Sequence, residues 1–381
     1  MNSGAAHRPG ALYKPFRIFF PAAALWALLA IPVWLAMRAG IVPQPALLPA
    51  ALWHAEEMLF GYTLAVVAGY LLPPLTATPL AILAGLWLLA RAAWFVPALS
   101  PLALAAVAAA FPIALVGFGL RRFGPVKRAR NLVFAAILIG LGLALLALLG
   151  AGLQTRFVLG SMALRLTLFL LVALIIVMGG RLIPAATIGA LRERGRDIVI
   201  RVQPARESAA VCAVAALSAA EALRWPQPVC GAFALVIAGV LIARMKDWHS
   251  FDVWRLPQIW PLHLGYAWIA AGFALLGLAR LGLFPIESEA LHALAVGGIG
   301  TTTLAMMARL TRLRSPRRNL PRRLPLVHGL FAAAVVLRVA GPWVTADIEP
   351  ALWWSAACWS LAYAGVLTLF ANAGRAPGRP R

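Results

Sequence analysis

Acidic residues are scarce in this chain. Its 381 residues include 12 Asp and Glu against 34 Lys and Arg, and charged residues of both signs reach only 12%. A soluble domain carries roughly 25% charged and 45–50% apolar residues. Here 62% of residues are hydrophobic, which excludes an ordinary soluble fold and points to a polytopic membrane protein. Cysteine is nearly absent, three in all with no C-x-x-C pair, so a disulfide framework and a thiolate metal site lack their residues. Cys212 and Cys230 fall near the starts of consecutive apolar runs. Antiparallel neighbours put those starts on opposite sides of a bilayer, too far apart for a disulfide, and both read as buried apolar cysteines. No G-x-x-x-x-G-K loop and no H-E-x-x-H pair is present. The glycines of GGIGTTT (297–303) lie inside an apolar run, where phosphate has no access.

What the chain does have is long apolar runs. A spanning helix needs roughly 20 predominantly apolar residues, and twelve runs meet that approximately: 16–37, 58–76, 79–97, 101–120, 131–151, 160–183, 207–223, 228–245, 260–279, 288–308, 324–343 and 351–370. The expectation is an all-α protein of about twelve transmembrane helices in one integral membrane domain, residues 1–381. The first run has no convincing cleavage site and reads as a span rather than a signal peptide. The run 207–223 is the weakest, being short and holding Ser218 and Glu221.

The net charge of +22 would suggest nucleic acid in a soluble chain. The basic residues lie between apolar runs, however, so membrane orientation explains them and no nucleic-acid partner is expected. Lys and Arg concentrate in cytoplasmic loops. Basic groups follow the fourth, sixth, eighth and tenth runs: Arg121 to Arg130, Arg192 to Arg206, Arg244 to Arg255, and Arg309 to Arg323. Both ends are basic as well, with Arg8, Lys14 and Arg17 at one and Arg375, Arg379 and Arg381 at the other. The opposite side keeps only Arg38, Arg156, Arg224 and Arg280, while Arg91, Arg165, Arg181 and Arg338 lie within runs. This segregation requires an even number of crossings before each basic loop and places both termini in the cytoplasm. Trp53, Trp94, Trp225, Trp260, Trp343, Trp353 and Trp354 cluster at run ends, as interfacial tryptophans do.

Topology also sorts the histidines. His7 and His249 fall in polar segments, whereas His54 and His292 lie near the outer face, and His263 and His328 toward the cytoplasm. Metal ligands must converge on one ion, so His54 can pair with His292, and His263 with His328, but not across. Interfacial histidine is the plain alternative. Small residues stripe the two outer-histidine runs: Gly61, Ala65, Ala68 and Gly69 on one, Ala293, Gly297, Gly300 and Thr301 on the other. They permit close helix approach or leave a slot for a flat cofactor. Arg165 and Arg338 share the rough depth of His54 and His292. An intramembrane arginine is usually paired or functional, and it matches a carboxylate, such as a haem propionate, bidentately. Snorkelling to the headgroups is the alternative, and Glu56, Glu57 and Glu221 are potential partners at the same level.

Several stretches carry a resemblance: PFRIFF (15–20), WHAEEMLFGYTLAVVAGYLL (53–72), RNLVF (130–134), GGRLIP (179–184), HLGYAW (263–268) and ALHALAVGGIGTTTLAMMAR (290–309). In these the chain resembles the NnrS family of bacterial membrane proteins. The resemblance implies a twelve-helix protein of the bacterial inner membrane that contains haem and copper. It implies a part in nitric oxide metabolism or tolerance of nitrosative stress, with a redox partner, and carries the family's motif histidines onto His54, His263 and His292. Where family members show a second histidine two positions after the first, this chain has Glu56. Where they show a GHTGR-like motif after the tenth span, it reads LTRLRSPRRNL. Two potential ligands are thus missing, and haem without copper is the reduced complement expected. Haem–copper oxidase core subunits, also of twelve helices, place haem histidines on helices 2 and 10, a fold-level analogy only.

The leading reading is therefore a haem-binding membrane protein with His54 and His292 as axial ligands and Arg165 and Arg338 as propionate partners. If it is an enzyme, haem-dependent redox chemistry on nitric oxide is implied, although no catalytic motif is present. A secondary transporter and a cofactor-free assembly protein are the alternatives; Pro32, Pro73, Pro74, Pro112 and Pro285 in or beside runs suit the former.

Overall fold

Helices form wherever the apolar runs are uninterrupted, and they stop at prolines and at left-handed turns. The computed structural model describes residues 11–123, 129–313, 322–344 and 347–374. Among these, the secondary structure is helical, apart from an isolated antiparallel bridge between Tyr13 and Leu75. The rods in chain order are α1 Phe16–Arg38, α2 (50–71, continuous through Ala50–Glu56, Glu57–Thr63 and Leu64–Leu71), α3 Ala77–Ala93, α4 Pro101–Phe123, α5 Ala129–Leu153 and α6 Phe157–Arg192. They continue with α7 Pro204–Ala222, α8 Gln227–Met245, α9 Trp260–Arg280, α10 (287–313, continuous through Glu287–His292, Ala293–Gly300 and Thr301–Leu313), α11 Leu324–Val344 and α12 Glu349–Gly374. Gly40, Gly195 and Gly282 adopt φ of 73°, 76° and 75° just past α1, α6 and α9. There they close the six-to-one bonds Ile41 N to Ala36 O, Arg196 N to Leu191 O and Leu283 N to Leu278 O, the left-handed cap that glycine adopts without a Cβ penalty.

Among the described residues, nine rods are long and apolar enough to cross a membrane: α1, α4, α5, α6, α8, α9, α10, α11 and α12. The α3 rod is apolar but shorter. The two others, α2 and α7, carry Glu56 and Glu57, and Arg206, Glu207 and Glu221; these groups take them below that degree of apolarity. Arg8, Lys127, Arg128, Arg314, Arg317, Arg318, Arg375, Arg379, Arg381 and His7 lie outside the described residues.

The largest departures from the hydropathy reading are in the second and sixth helices. The second occupies 50–71 instead of 58–76, and the sixth runs on to 192 instead of ending at 183. Pro49, in an extended conformation, starts the second helix, Gln44 Oε1 accepts from Ala50 N at 3.2 Å, and Leu72 turns extended at ψ 136° before Pro73, as a residue preceding proline tends to. His54, Glu56 and Glu57 therefore sit inside the helix rather than at its threshold. The α6 rod runs through Pro184 for 36 residues, about 54 Å at 1.5 Å per residue, and so outreaches a hydrocarbon layer of about 30 Å.

Consecutive rods pack on one another, and α12 returns to pack on α1. Trp359 Nε1 donates to Ala27 O at 2.7 Å across that last seam. The α6 rod also reaches α2, α9 and α10. The apolar window of α10 is 78% buried inside the protein and that of α6 61%, against 39% for α1, α8 and α12, so α6 and α10 form the centre. Neighbours run antiparallel: a Cβ at Gly69 would stand 2.7 Å from Phe20, one at Gly61 3.1 Å from Trp26, and His54 stacks on Trp34. On α9 and α10, Gly272 meets Leu294 and Gly265 meets Thr302 in the same sense.

Candidate functional site

Two rods contain a π-helical segment, Glu57–Thr63 in α2 and Ala293–Gly300 in α10. They are the rods that carry His54 and His292, and each segment begins within three residues of its histidine. A π segment widens the turn, displaces carbonyls from their usual acceptors and recurs at functional sites. The freed Gly61 carbonyl accepts from Trp87 Nε1 of α3 at 2.8 Å, and Thr63 Oγ1 donates to Met58 O at 2.7 Å. On α10, Thr303 Oγ1 donates to Ile299 O at 2.6 Å. A buried knot ties these rods to α12: Tyr62 Oη lies 2.6 Å from Thr303 Oγ1 and bonds Tyr363 Oη. Nothing in the hydropathy pattern announced either segment; the glycines at 61, 297, 298 and 300 were the available signal.

The imidazole of His54 stacks on Trp34 of α1, with ring centroids 4.4 Å apart at 24°, and its Nδ1 is enclosed without a hydrogen-bond partner. His292 Nδ1 lies 2.7 Å from the Ser288 carbonyl. A carbonyl only accepts, so Nδ1 carries the proton and Nε2 is left with its lone pair, the tautomer a metal-ligating histidine presents. Arg338 of α11 donates from Nη2 to Ser288 Oγ at 3.1 Å, and its Nη1 is enclosed without a partner. Arg338 acts electrostatically on both imidazoles, and His54 acts on His292, so the three side chains share one neighbourhood. The site thus offers ring nitrogens of two histidines and one guanidinium nitrogen without a hydrogen bond.

The other expected residues are placed elsewhere. Arg165 Nε stands 3.5 Å from Glu221 and its Nη1 4.0 Å from Glu287. Arg280 lies 2.9 Å from Glu221 and 2.8 Å from Glu287. Arg165 thus already faces two carboxylates of the chain. Both ring nitrogens of His263 are engaged, by Thr187 Oγ1 at 2.8 Å and Ser250 Oγ at 2.8 Å. The α9–α10 register sets His263 nearly opposite residue 304, twelve residues from His292, about 18 Å along the rod; the structure does not bring it to His54 and His292. His328 packs edge-on to Trp260 at 5.8 Å. The small-residue stripes are filled rather than open: Phe20 stands over Gly69, Trp268 over Gly297 and Phe331 over Gly300. They are sites of close helix approach and leave no slot along the glycines.

Sequence reasoning missed a further cluster. Arg91 of α3 is 2% exposed and meets Glu57 at 2.9 Å and Glu56 at 3.6 Å, both carboxylates being fully buried. Trp26 Nε1 donates to Glu57 at 2.6 Å. Two carboxylates thus share one guanidinium between α2 and α3. Among the described residues, no group of three or more His, Cys, Asp or Glu is arranged to hold a metal ion.

A search of curated proteins gives no match. The model of the NnrS protein family matches residues 11–377, nearly the whole of the 381-residue chain, and the chain therefore belongs to the NnrS family.

Proposed function

We propose that this NnrS family member is a haem-binding protein of the bacterial inner membrane that acts in nitric oxide metabolism or in tolerance of nitrosative stress. Its chain crosses the bilayer twelve times, with both termini cytoplasmic. Family membership supports the link to nitric oxide. The observation that carries the haem reading is the pairing of His292 and Arg338 on Ser288 at the end of the bundle that holds His54, with His292 held by the Ser288 carbonyl in the tautomer that leaves Nε2 free. Antiparallel packing of neighbouring rods supports the twelve crossings. So do the contacts between two basic loops at one end, where Arg196 meets Asp252 at 2.9 Å and Arg206 meets Asp247 at 3.1 Å.

When bound, haem supplies an iron that changes oxidation state by one electron and coordinates a diatomic ligand. The chain's own residues supply the rest. Ser288 fixes which nitrogen of His292 is presented, Trp34 fixes the ring plane of His54, and Arg338 offers a donor fork to a carboxylate. Arg165, drawn toward Glu221 and Glu287, is the weaker of the two carboxylate partners. With Glu56 in place of a second motif histidine and His263 held between two hydroxyls, the donors suit haem without a copper centre. His54 and His292 would together hold the iron, a donor set that would suit electron exchange with a redox partner or sensing of nitric oxide rather than rapid turnover.

The test is the visible spectrum of the protein purified in detergent. A Soret band is expected, lost in His54→Ala and in His292→Ala. A colourless unmodified protein, or a band that survives both substitutions, would overturn the reading.

A further inference from the structure

Where α6 starts, α7 ends and α8 starts, the protein forms a half-open cavity of about 300 Å3 whose lining includes Arg165, Glu221, Arg224 and Trp225, with Val158 and Met162 on one wall. Five charged groups meet around it: the guanidinium groups of Arg165, Arg224 and Arg280, and the carboxylates of Glu221 and Glu287. Both carboxylates are committed, Glu221 to Arg280 and Arg165, and Glu287 to Arg280 and Arg165. No carboxylate or carbonyl partners Arg224 among the described residues, and Arg165 Nε is enclosed without a hydrogen bond. One positive charge is left over. It sits at the arginine-poor end of the molecule, where the bias of Lys and Arg toward cytoplasmic loops does not account for it.

The backbone adds to the case. Arg224 has φ 57°, and Trp225 N closes on Ala220 O at 2.9 Å. This is the left-handed cap that Gly40, Gly195 and Gly282 fill elsewhere. The long cation stands in a glycine position and lines the cavity. The apolar wall meets the surroundings, with Val158 79% and Trp225 47% exposed. A tryptophan at a helix end marks headgroup depth. The cavity therefore joins two arginines, one of them the exposed Arg224, and the already paired Glu221 to an apolar wall at the level where lipid phosphates lie, and guanidinium groups match a phosphate in fixed, often bidentate geometry.

We propose that this cavity is a phosphate-oxyanion site, filled from the bilayer by the headgroup of an anionic phospholipid, with Arg224 as its principal cation and Val158 and Met162 against the acyl chain. The site shares Arg165 with the proposed haem pocket, but its principal cation and its test are at Arg224, so its failure leaves the histidine reading untouched. The full-length protein in detergent is titrated with phosphatidylglycerol, with phosphatidylcholine and with inorganic phosphate, and thermal unfolding is followed. Phosphatidylglycerol should raise Tm at lower concentration than phosphatidylcholine. Arg224→Gln should weaken that response about tenfold, the size of one lost charge-assisted bond, while Arg38→Gln, at a separate ion pair with Glu349, keeps it. Equal responses to the two lipids, or an unchanged preference in Arg224→Gln, overturn the proposal. A response to inorganic phosphate as large as that to phosphatidylglycerol assigns the site to free phosphate and overturns the lipid source. Native mass spectrometry of the unmodified protein gives a second reading that does not require the variant to fold: preferential retention of phosphatidylglycerol supports the site, and equal retention of the two lipids overturns it.

Discussion

His263 and His292 are two histidines near the first turns of consecutive helices, α9 and α10, and they are treated differently. His263 is held on both ring nitrogens by Thr187 and Ser250. His292 is held on one, leaving the other without a hydrogen bond among the described residues. The arginines at the same two ends differ in the same way. Arg244, 2% exposed, donates to the Ile176 carbonyl at 2.9 Å, to Tyr266 Oη at 2.9 Å and to Glu207 at 2.6 Å. Arg91, equally buried, faces Glu56 and Glu57 at ion-pair distance without hydrogen-bond geometry, and both Glu56 oxygens lack a bond. Buried polar groups are ordinarily satisfied, and leaving one unmade is expensive. Arg244 and His263 are thus fully engaged by the chain's own groups, whereas around His54, His292 and Arg91 the ring nitrogen of His54 and the Glu56 carboxylate are buried without a hydrogen bond.

The sharpest way to break this contrast is to remove each histidine in turn. His54→Ala or His292→Ala should abolish haem retention outright. His263→Ala should keep the full spectrum and lose about 1–3 kcal/mol of stability, because Thr187 and Ser250 lose their partner. A Soret band that disappears in His263→Ala while unfolding is unchanged would reverse the assignment of the two ends.

The next effect is structural. Gly180 lies directly against the guanidinium of Arg244, with Nη1 2.8 Å from where a Cβ would be. Gly180→Ala should push Arg244 off Ile176, Tyr266 and Glu207. Breaking a buried pair costs about 3–5 kcal/mol, so the variant should accumulate poorly and unfold at much lower temperature, whether or not haem is supplied. Gly239→Ala, at a glycine with open space around it, should do neither.

How far the sequence alone reaches is explained by the same contrast. Hydropathy found α1, α8, α9 and α11 to within a residue or two, because their ends coincide with charges and prolines that any composition scan sees. It began α2 eight residues late, because His54, Glu56 and Glu57 look like a polar threshold until Arg91 is placed beside them. That partner lies some thirty-five positions along the chain, and pairing at such separation leaves no local trace. Arg165 was legible as an intramembrane cation, but Glu221 and Glu287 come to it from two other helices. The π segments were invisible because they are a change of hydrogen-bond register, not of residue type. That His54 and His292 belong at one end of the bundle was an expectation from topology alone, since rods two and ten start at the same face when neighbours alternate.

A smaller effect is expected at Arg338. Replacing it by Gln leaves both imidazoles in place and removes the donor fork beside them. Haem should bind with an unshifted Soret band and about tenfold weaker retention during dilution, the worth of one charge-assisted bond. An Arg165→Gln variant should change retention less, since its guanidinium faces Glu221 and Glu287. Equal losses in the two variants would put both arginines on the cofactor.

The smallest effect belongs to the closed end, in its loops. Asp252 accepts from Arg196 Nη1 at 2.9 Å and faces His249 Nδ1 at 2.8 Å. These two bonds, Arg196 first, hold its carboxyl below the usual value. A depressed carboxylate contributes stability that is present above its unfolded pKa, about 3.9, and is lost as pH falls through the lower folded value. The tether between the α6–α7 and α8–α9 loops should therefore persist at neutral pH and release only in acid below that range. Asp252→Asn should release it at pH 7. Limited proteolysis between residues 246 and 259 is the measure. Cleavage should quicken by less than about fivefold, in keeping with the 0.2–1 kcal/mol of an exposed pair, and the haem spectrum should not move. A spectrum that followed Asp252 would mean that the two ends of the protein are coupled, and that the closed end is more than scaffold.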